Sequence, residues 1–400
     1  MSKLFKDTLA KIKENKINLD SGKPNCIPFN QFPRLSKILP GIVQGTNILI
    51  SASSGVGKTK FTKSVFVLEP LNWLNKHLEE NPNSNINIQV NYFGLEESKE
   101  EFVTSVICYK LEEKFGITID ALDLMSMYQK ETVSEDLLKK IESLESFFEK
   151  FFNHVDYIDT ISNPYGIYDY IRNYTQKNGT HYFYNFIDDR DKDNCITHAE
   201  KEKVKKLHGK ESKEYKQLAY SHYTPNNPDE YVINIVDHMS LLSPENEGTL
   251  HDAMTQMSAS YGRKQITKHY NHVFVNVQQQ MGSQEADLYT NSGKKIIEKL
   301  KPSIAGLADC KLTIRDAHVA IGLFAPARYL PEDDMIYKGY DISVLKDQFR
   351  SAIVLKNRIG RGNIEIPLLF NGAINTFEEL PAEMKKEDYD IVRKMQKTLK

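Results

Sequence analysis

The chain has 400 residues, enough for one large folded domain or for two or three smaller ones. Its 52 Lys and Arg nearly balance its 54 Asp and Glu, and the formal net charge of −2 at pH 7 excludes a histone-like polycation, although a locally basic surface could still bind nucleic acid. The four cysteines form no Cys-x-x-Cys pair, so neither a zinc ribbon nor a disulfide scaffold is predicted. No apolar run reaches the roughly 18–20 residues of a membrane span, and the N-terminus lacks a signal-peptide pattern. We therefore expect a cytoplasmic protein.

The predicted elements alternate between strands and helices along the chain. An amphipathic helix is predicted at 1–20, and Pro70 is predicted to kink or end a helix that starts at Lys58. Strands are predicted at 47–51, 86–94, 155–160, 231–236, 272–277, 318–324, 351–355 and 364–370. Further helices are predicted at 99–114, within 117–155, after Pro164, and at 248–269 and 297–301. This alternation predicts an α/β fold with a mostly parallel central sheet flanked by helices.

A polar insertion interrupts the alternation at 181–229. Its segment 200–216 carries seven Lys against four Glu, a local charge of +3. We expect an inserted arm or a helical hairpin here. It would be either a solvated surface helix or a contact for nucleic acid or a partner protein.

A phosphate-binding loop is predicted between the first strand and its helix. The sequence ILISASSGVGKTKFT contains Ala52-x-x-x-x-Gly57-Lys58-Thr59, a Walker A pattern with Ala in the place of the first Gly. Glycines let consecutive N–H groups face phosphate oxygens, Lys58 can reach the β- and γ-phosphates, and the Thr59 hydroxyl can bind Mg²⁺. We therefore expect ATP or another nucleoside triphosphate to be held by Ala52, Ser53, Ser54, Gly55, Val56, Gly57, Lys58 and Thr59.

Acidic residues at two strand ends are candidates for the remaining chemistry. Asp237 follows the apolar strand YVINIV and would hold Mg²⁺ beside Thr59, as a Walker B carboxylate does. The segment FGLEES offers Glu96 or Glu97 to orient and deprotonate the attacking water, and we favour Glu96. The alternative is that both glutamates only begin the next helix, where acids suit the helix dipole.

Further side chains lie where they could report on or stabilise the γ-phosphate. Gln278, Gln279 and Gln280 follow the strand HVFVNV, and a glutamine there could report whether the γ-phosphate is present. Lys356 and Arg358 leave the strand SAIVL in the turn KNRIGRG. Charges in such a turn suit a phosphate across a subunit boundary. The alternatives are a polar loop start and a solvated hairpin turn.

The order of these motifs resembles the RecA-type ATPase domain of DnaB-like replicative hexameric helicases. The resemblance covers about 28–380, apart from 181–229, and leaves an N-terminal helix and linker at 1–27 and a C-terminal helical tail at 381–400. It implies a RecA-like P-loop core, a catalytic Glu96, a sensor Gln278, and a Lys356 and Arg358 finger donated to the neighbouring subunit. It also implies a homo-hexameric ring on single-stranded DNA, with a primase or loader protein as a possible partner. Its short lead-in favours a phage-like protein without the family's N-terminal collar domain.

The sequence departs from the family pattern at three places, and its DNA-binding loops are the least determined part. Ala52 replaces Gly, His238 follows the Walker B acid, and Asp309 with Cys310 replaces an Arg-acid-Ser pattern. The basic residues expected to line a DNA channel are Arg263, Lys264, Lys294, Lys295 and Lys299, with a solvated face as the alternative. A RecA/KaiC-like ATPase that does not unwind DNA, and a scaffold that hydrolyses poorly, remain alternative functions.

Overall fold

Fourteen strands and fourteen α-helices are found in the parts of the chain that the computed structural model describes. Those parts are residues 3–127, 133–185, 195–280, 297–331, 335–362, 364–381 and 391–392. The strands are β1 Asn47–Ala52, β2 Asn87–Gly94, β3 Val155–Ile158, β4 Gly179–Tyr184, β5 Cys195–Thr197, β6 Ala219–Pro225, β7 Glu230–Asp237, β8 Val273–Gln279, β9 Val319–Phe324, β10 Ile336–Tyr337, β11 Tyr340–Asp341, β12 Phe349–Asn357, β13 Glu365–Asn371 and β14 Thr376–Glu379.

The helices cover both faces of the main sheet and the inserted region. They are α1 Lys3–Asp20, α2 Pro33–Ser36, α3 Lys58–Lys63, α4 Glu69–Glu80, α5 Lys99–Phe115, α6 Ala121–Leu124, α7 Glu135–Glu142, α8 Glu145–Phe152, α9 Pro164–Lys177, α10 His198–His208, α11 Lys213–Lys216, α12 Leu250–Thr255, α13 Ile297–Leu300 and α14 Thr313–Asp316. The predicted single helix within 117–155 is therefore three helices. None of the described helices is long and apolar enough to cross a membrane.

A nine-stranded sheet forms the centre of the molecule, in the order β14-β13-β12-β9-β1-β8-β7-β2-β3. The six strands from β9 to β3 run parallel, and β12, β13 and β14 extend the sheet antiparallel to β9 and to one another. The inner strands are buried on both faces, as parallel strands under two helix layers must be. The prediction of a mostly parallel α/β sheet is confirmed, and all eight predicted strands belong to it.

The helix after the first strand does not end at Pro70. α3 passes through a π-helical segment, Ser64–Leu68, directly into α4, where Pro70 stands near the N-terminus. Proline is tolerated there, because the first turn of a helical segment leaves N–H groups without intrahelical partners. The helix therefore does not end at Pro70, as one of the two predicted outcomes had it, and the proline lies instead where the π-helical segment passes into α4.

The inserted region has its own small sheet in place of a helical hairpin. β4, β5 and β6 form a three-stranded antiparallel sheet in the order β5-β4-β6, and α10 packs against it. The polar segment 200–216 forms α10 and α11 on the outside. This small sheet lies beyond the N-terminal ends of β7 and β8, at the edge of the main sheet opposite the loop that follows β1.

Candidate functional site

The loop between β1 and α3 has the backbone geometry of a phosphate cradle. Gly55 has φ +70° and Gly57 has φ +106°, values that side chains other than Gly rarely adopt. A Cβ at Gly57 would also lie 3.3 Å from the ring of Phe370 on β13. The loop opens into a cleft of about 660 Å³. A triphosphate therefore meets exposed backbone N–H groups followed by the N-terminus of a helix.

Two arginines from distant parts of the chain hold this loop by its carbonyl groups. Arg328 donates to Ser54 O at 3.0 Å and to Gly55 O at 2.5 Å. Arg350, at the start of β12, is buried, donates from Nε to Val56 O at 2.8 Å and stacks on the Phe370 ring. With the carbonyls turned towards these cations, the loop N–H groups are left for a ligand.

Asp237 ends β7 inside the cleft, where a divalent cation would complete its bonding. Its Oδ2 accepts a 2.6 Å hydrogen bond from the Tyr92 hydroxyl, whereas the buried Oδ1 has no partner among the described residues. Burial raises the pKa of the Asp237 carboxyl, and the nearby hydroxyls of Tyr92 and Thr59 counteract that rise. A buried oxygen without a donor beside a threonine hydroxyl fits a Mg²⁺ site.

Lys58 points into the same cleft and is surrounded by acids. Its side chain is buried, which lowers the pKa of the ammonium, while the charges of Asp237 and Glu96 raise it. Burial is the larger of these effects, and a bound phosphate would favour the charged form of Lys58 further.

The structure distinguishes between the two candidate glutamates. Glu97 forms an ion pair with the buried Lys63, at 2.9 and 3.0 Å, and Lys63 also donates to Ser105. The Glu96 side chain is 60% exposed in the cleft, with its Oε2 3.6 Å from His238 Nε2. Only Glu96 is therefore free to approach a water molecule, while Glu97 serves to neutralise Lys63.

Gln278 and Gln279, the last two residues of β8, lie on opposite faces of the sheet. Gln278 is buried away from the cleft, where it accepts from Thr313 at 2.6 Å and donates to the carbonyls of Ala308 and Cys310. Gln279 lines the cleft. Successive side chains of a strand point to opposite faces, so only one of the pair can face the phosphates. Gln278 therefore does not face the cleft, contrary to the prediction, and Gln279 is the described glutamine that does.

Lys356 and Arg358 lie at the end of the strands that is opposite to the nucleotide cleft of their own subunit. Arg358 N donates to His318 O, and His318 N donates to Asn47 O, which places Arg358 level with the start of β1. Ala52 is five residues further along β1, so about 16 Å of strand separates the two levels. Lys356 contacts the carbonyls of Ile314 and Arg315, and Arg358 donates to Arg315 O at 3.1 Å.

The predicted DNA-binding residues divide into three groups. Arg263 forms an ion pair with Asp316 at 3.2 Å and lines a cavity of about 570 Å³ together with Lys356 and Arg358. Lys264 is exposed on the same π-helical segment, Gln256–His269, and Lys299 is exposed on α13. Lys294 and Lys295 lie outside the described residues. The described part of the chain therefore places Arg263 with the predicted finger.

Solved structures of low sequence identity share this architecture. The ATPase domain of G40P aligns with a TM-score of 0.60 and 16% identity, over 95% of this chain and 100% of that one. A DnaB-like replicative helicase, whose structure was described with its interactions with primase, aligns with a TM-score of 0.58 and 16% identity, over 92% of this chain and 67% of that one. The chain has the fold of a DnaB-like RecA-type ATPase domain.

A weaker structural match was found, and two sequence comparisons found none. A KaiC-like protein, PH0186 from Pyrococcus horikoshii OT3, aligns with a TM-score of 0.39 and 13% identity over 89% of this chain and 96% of that one. Neither a protein-family model nor a curated protein sequence matches the chain. The similarity to known proteins is therefore one of fold.

Sequence reasoning missed three residues that shape the cleft, Tyr92, Arg328 and Arg350, and it favoured Gln278 over Gln279. Tyr92 lies two residues before the end of β2, on the strand that carries the candidate glutamates at its end, and that position could have indicated it. Gln279 follows from the two-residue period of β8. The arginines carry no local motif, because their partners are loop carbonyls 273 to 294 residues away in the sequence.

Proposed function

We propose that the protein hydrolyses ATP, or another nucleoside triphosphate, with Mg²⁺. The observation that carries this proposal is the convergence of Lys58, Thr59, Asp237 and Glu96 on one cleft above a phosphate-binding loop. When bound, Mg²⁺ would neutralise the phosphate charge from between Thr59 and Asp237. Glu96 would then orient and deprotonate the attacking water, while Lys58 stabilises charge on the β- and γ-phosphates and Gln279 reports on the γ-phosphate.

The finger residues support action across a subunit boundary. Arg358 lies about five strand residues from the level of its own phosphate-binding loop, a span of about 16 Å that exceeds the length of its side chain. A neighbouring copy could receive Lys356 and Arg358 at its cleft instead. An arginine supplied in this way stabilises transition-state charge on the transferred phosphoryl group.

The exposed face of α1 supports self-association. Its apolar side chains Leu4, Phe5, Ile12 and Leu19 share one face of the helix and are between 52% and 77% exposed. A stripe of this kind on a helix normally packs against another surface. We propose that α1 docks on a neighbouring copy and that the copies close into a ring, in which each cleft receives the next subunit's finger.

We further propose that the ring moves along single-stranded DNA and unwinds duplex DNA. The fold of DnaB-like helicases and the separation of cleft from finger support this, because loss of the γ-phosphate would release contacts between subunits and let them shift. Arg263, Lys264 and Lys299 are the described candidates to follow a phosphate backbone. A primase or loader protein remains a predicted partner.

Forked-duplex unwinding by the wild type beside Lys58→Ala and Arg358→Ala tests this function. We expect both variants to lose unwinding, and single-stranded DNA to stimulate hydrolysis by the wild type. Hydrolysis that DNA does not stimulate, with no unwinding, would favour a RecA-type ATPase that acts without strand separation.

A further inference from the structure

A further cavity, separate from the nucleotide cleft and from the cavity at Arg263, lies between the inserted sheet and the main domain. It encloses about 260 Å³ between α9, the inserted sheet, α10, α11 and the end of the π-helical segment. Five aromatic side chains line it: Tyr168, Phe183, Tyr215, Tyr220 and Tyr270. Because β6 leads into the N-terminal end of β7, the cavity is separated from Asp237 by the length of β7, eight residues or about 25 Å.

The aromatic walls are held in fixed orientations. Tyr168 stacks on Tyr261 at 4.5 Å and its hydroxyl contacts that of Tyr270 at 3.0 Å. Tyr220 stacks on His269 at 4.6 Å and meets Phe183 edge to face. Because neighbouring rings already restrict their rotation, these side chains lose little conformational entropy when a flat ligand packs on them.

Two cations are held close together at this cavity. Arg172 projects from α9 and Lys201 from α10, and the Lys201 ammonium lies 3.8 Å from the centre of the Phe183 ring. Burial lowers the pKa of Lys201, the charge of Arg172 lowers it further, and Glu202 opposes both effects. Asp169, also on α9, forms a long ion pair with Arg172, with 3.9 Å between their side-chain atoms. Glu202, which also lines the cavity, offsets part of the positive charge of Lys201, and the remaining positive charge of Arg172 and Lys201 would attract a phosphate placed between them.

Two buried polar atoms in the cavity wall lack hydrogen-bond partners. Arg172 Nε and the Tyr220 hydroxyl are shielded from solvent, and neither has a partner among the described residues. A buried donor without an acceptor costs about 1–3 kcal/mol, so such atoms usually indicate a missing ligand or water. His181, which also lines the cavity, bonds Thr175 at 2.8 Å instead.

We propose that this cavity binds one nucleotide unit, with its base among the aromatic rings and its phosphate between Arg172 and Lys201. Stacked aromatic rings beside Arg and Lys recognise unpaired bases without requiring a particular sequence. The volume lies just below the roughly 300 Å³ at which pockets for drug-sized ligands begin, which suits one base and excludes a dinucleotide. A free mononucleotide and an unpaired base of a single strand share this chemistry. The site does not depend on the function proposed for the nucleotide cleft.

Photocrosslinking distinguishes these two sources and locates the ligand. The probes are 5-bromo-dUMP and an oligothymidine that contains one 5-bromouracil, each irradiated with the full chain while the cleft is saturated with a non-hydrolysable ATP analogue. We expect crosslinked peptides that contain Phe183, Tyr215 or Tyr220. Crosslinking by both probes identifies a mononucleotide site, and crosslinking by the oligonucleotide alone identifies a site for an unpaired base within a strand. Crosslinks from neither probe at these peptides overturn the proposal.

Affinity measurements with matched variants complete the test. Arg172→Gln should weaken binding of the crosslinking probe about tenfold to a hundredfold, the worth of a hydrogen bond to a charged group. Lys177→Gln, on the exposed face of the same helix, should leave it unchanged. If Arg172→Gln does not fold, Lys201→Gln carries the test against the exposed Lys206→Gln on α10. Equal affinities within the matched pair refute the assignment. Hydrolysis at the nucleotide cleft should persist in all four variants, which separates this result from a failure of the proposed ATPase.

Discussion

Mixing two inactive variants tests whether Arg358 acts on a neighbouring subunit. Glu96→Gln removes the proposed base but leaves the finger, and Arg358→Ala removes the finger but leaves the base. The sheet register places Arg358 about 16 Å from the level of its own phosphate-binding loop, so a finger acting within its own subunit is geometrically excluded. An interface in a mixed assembly is complete when an Arg358→Ala subunit supplies the cleft and a Glu96→Gln subunit supplies the finger.

The expected recovery follows from random assembly. In an equimolar mixture of independent interfaces, each condition is met half of the time, so about one quarter of the interfaces are complete. Removal of an arginine finger costs about 10³–10⁵ in kcat, which leaves each variant alone essentially inactive. Steady-state phosphate release should therefore rise to about a quarter of the wild-type rate on mixing, or less if neighbouring sites must act in turn. Mixtures that stay as inactive as their components, although native mass spectrometry shows mixed assemblies, would refute action in trans.

Three further variants test individual contacts of the cleft and core. Tyr92→Phe leaves the buried Asp237 carboxylate without its donor and should cost about 1–3 kcal/mol in the free energy of unfolding, measured by urea denaturation; an unchanged midpoint would contradict the role given to that bond. Glu97→Gln removes the partner of Lys63 and should lower the free energy of unfolding by a similar amount, while the rate of hydrolysis per folded molecule persists. Glu96→Gln should lower kcat about a hundredfold or more with little change in stability. The reverse pattern would exchange the roles of the two glutamates. Burial and the charge of Glu378 raise the pKa of Glu69 to about 8. Between pH 4.5 and about 8 the folded state therefore binds one proton more than the unfolded state. The protein should lose up to about 5 kcal/mol of its free energy of unfolding as the pH rises through that window. Glu69→Gln should flatten that dependence, as measured by unfolding at pH 5 and pH 9, and an equally steep loss in the variant would assign it to other groups.

The central sheet could be predicted from the sequence because its strands are short, aliphatic and buried on both faces. The phosphate-binding loop and Asp237 were equally accessible, since strand, glycine spacing and helix occur together in sequence. The small sheet of the insertion was missed because β4 and β6 are built from Tyr, His and Phe beside a highly charged segment. Aromatic residues favour strands, and that signal was outweighed by the charge of 200–216.

Long-range contacts explain the remaining differences. Gln278 and Gln279 both belong to β8, and which of them faces the cleft depends on which face of the sheet carries the phosphate-binding loop, which only the packed structure shows. The choice between Glu96 and Glu97 required the position of Lys63 on a separate helix. The arginines that hold the phosphate-binding loop act on backbone carbonyls, which leave no pattern in side-chain sequence.

The two ends of β12 give each subunit a direction. Near the start of the strand, Arg350 holds the subunit's own phosphate-binding loop, and just after its end lies Arg358, which we propose acts on another copy. A displacement of the loop on binding or release of phosphate would pull on one end of a hydrogen-bonded strand and be delivered at the other. In a closed ring, the nucleotide bound to each subunit would then affect the cleft of one neighbour, and the nucleotide of the other neighbour would affect its own cleft. The order in which the subunits of such a ring hydrolyse their nucleotides would then follow from the direction of β12.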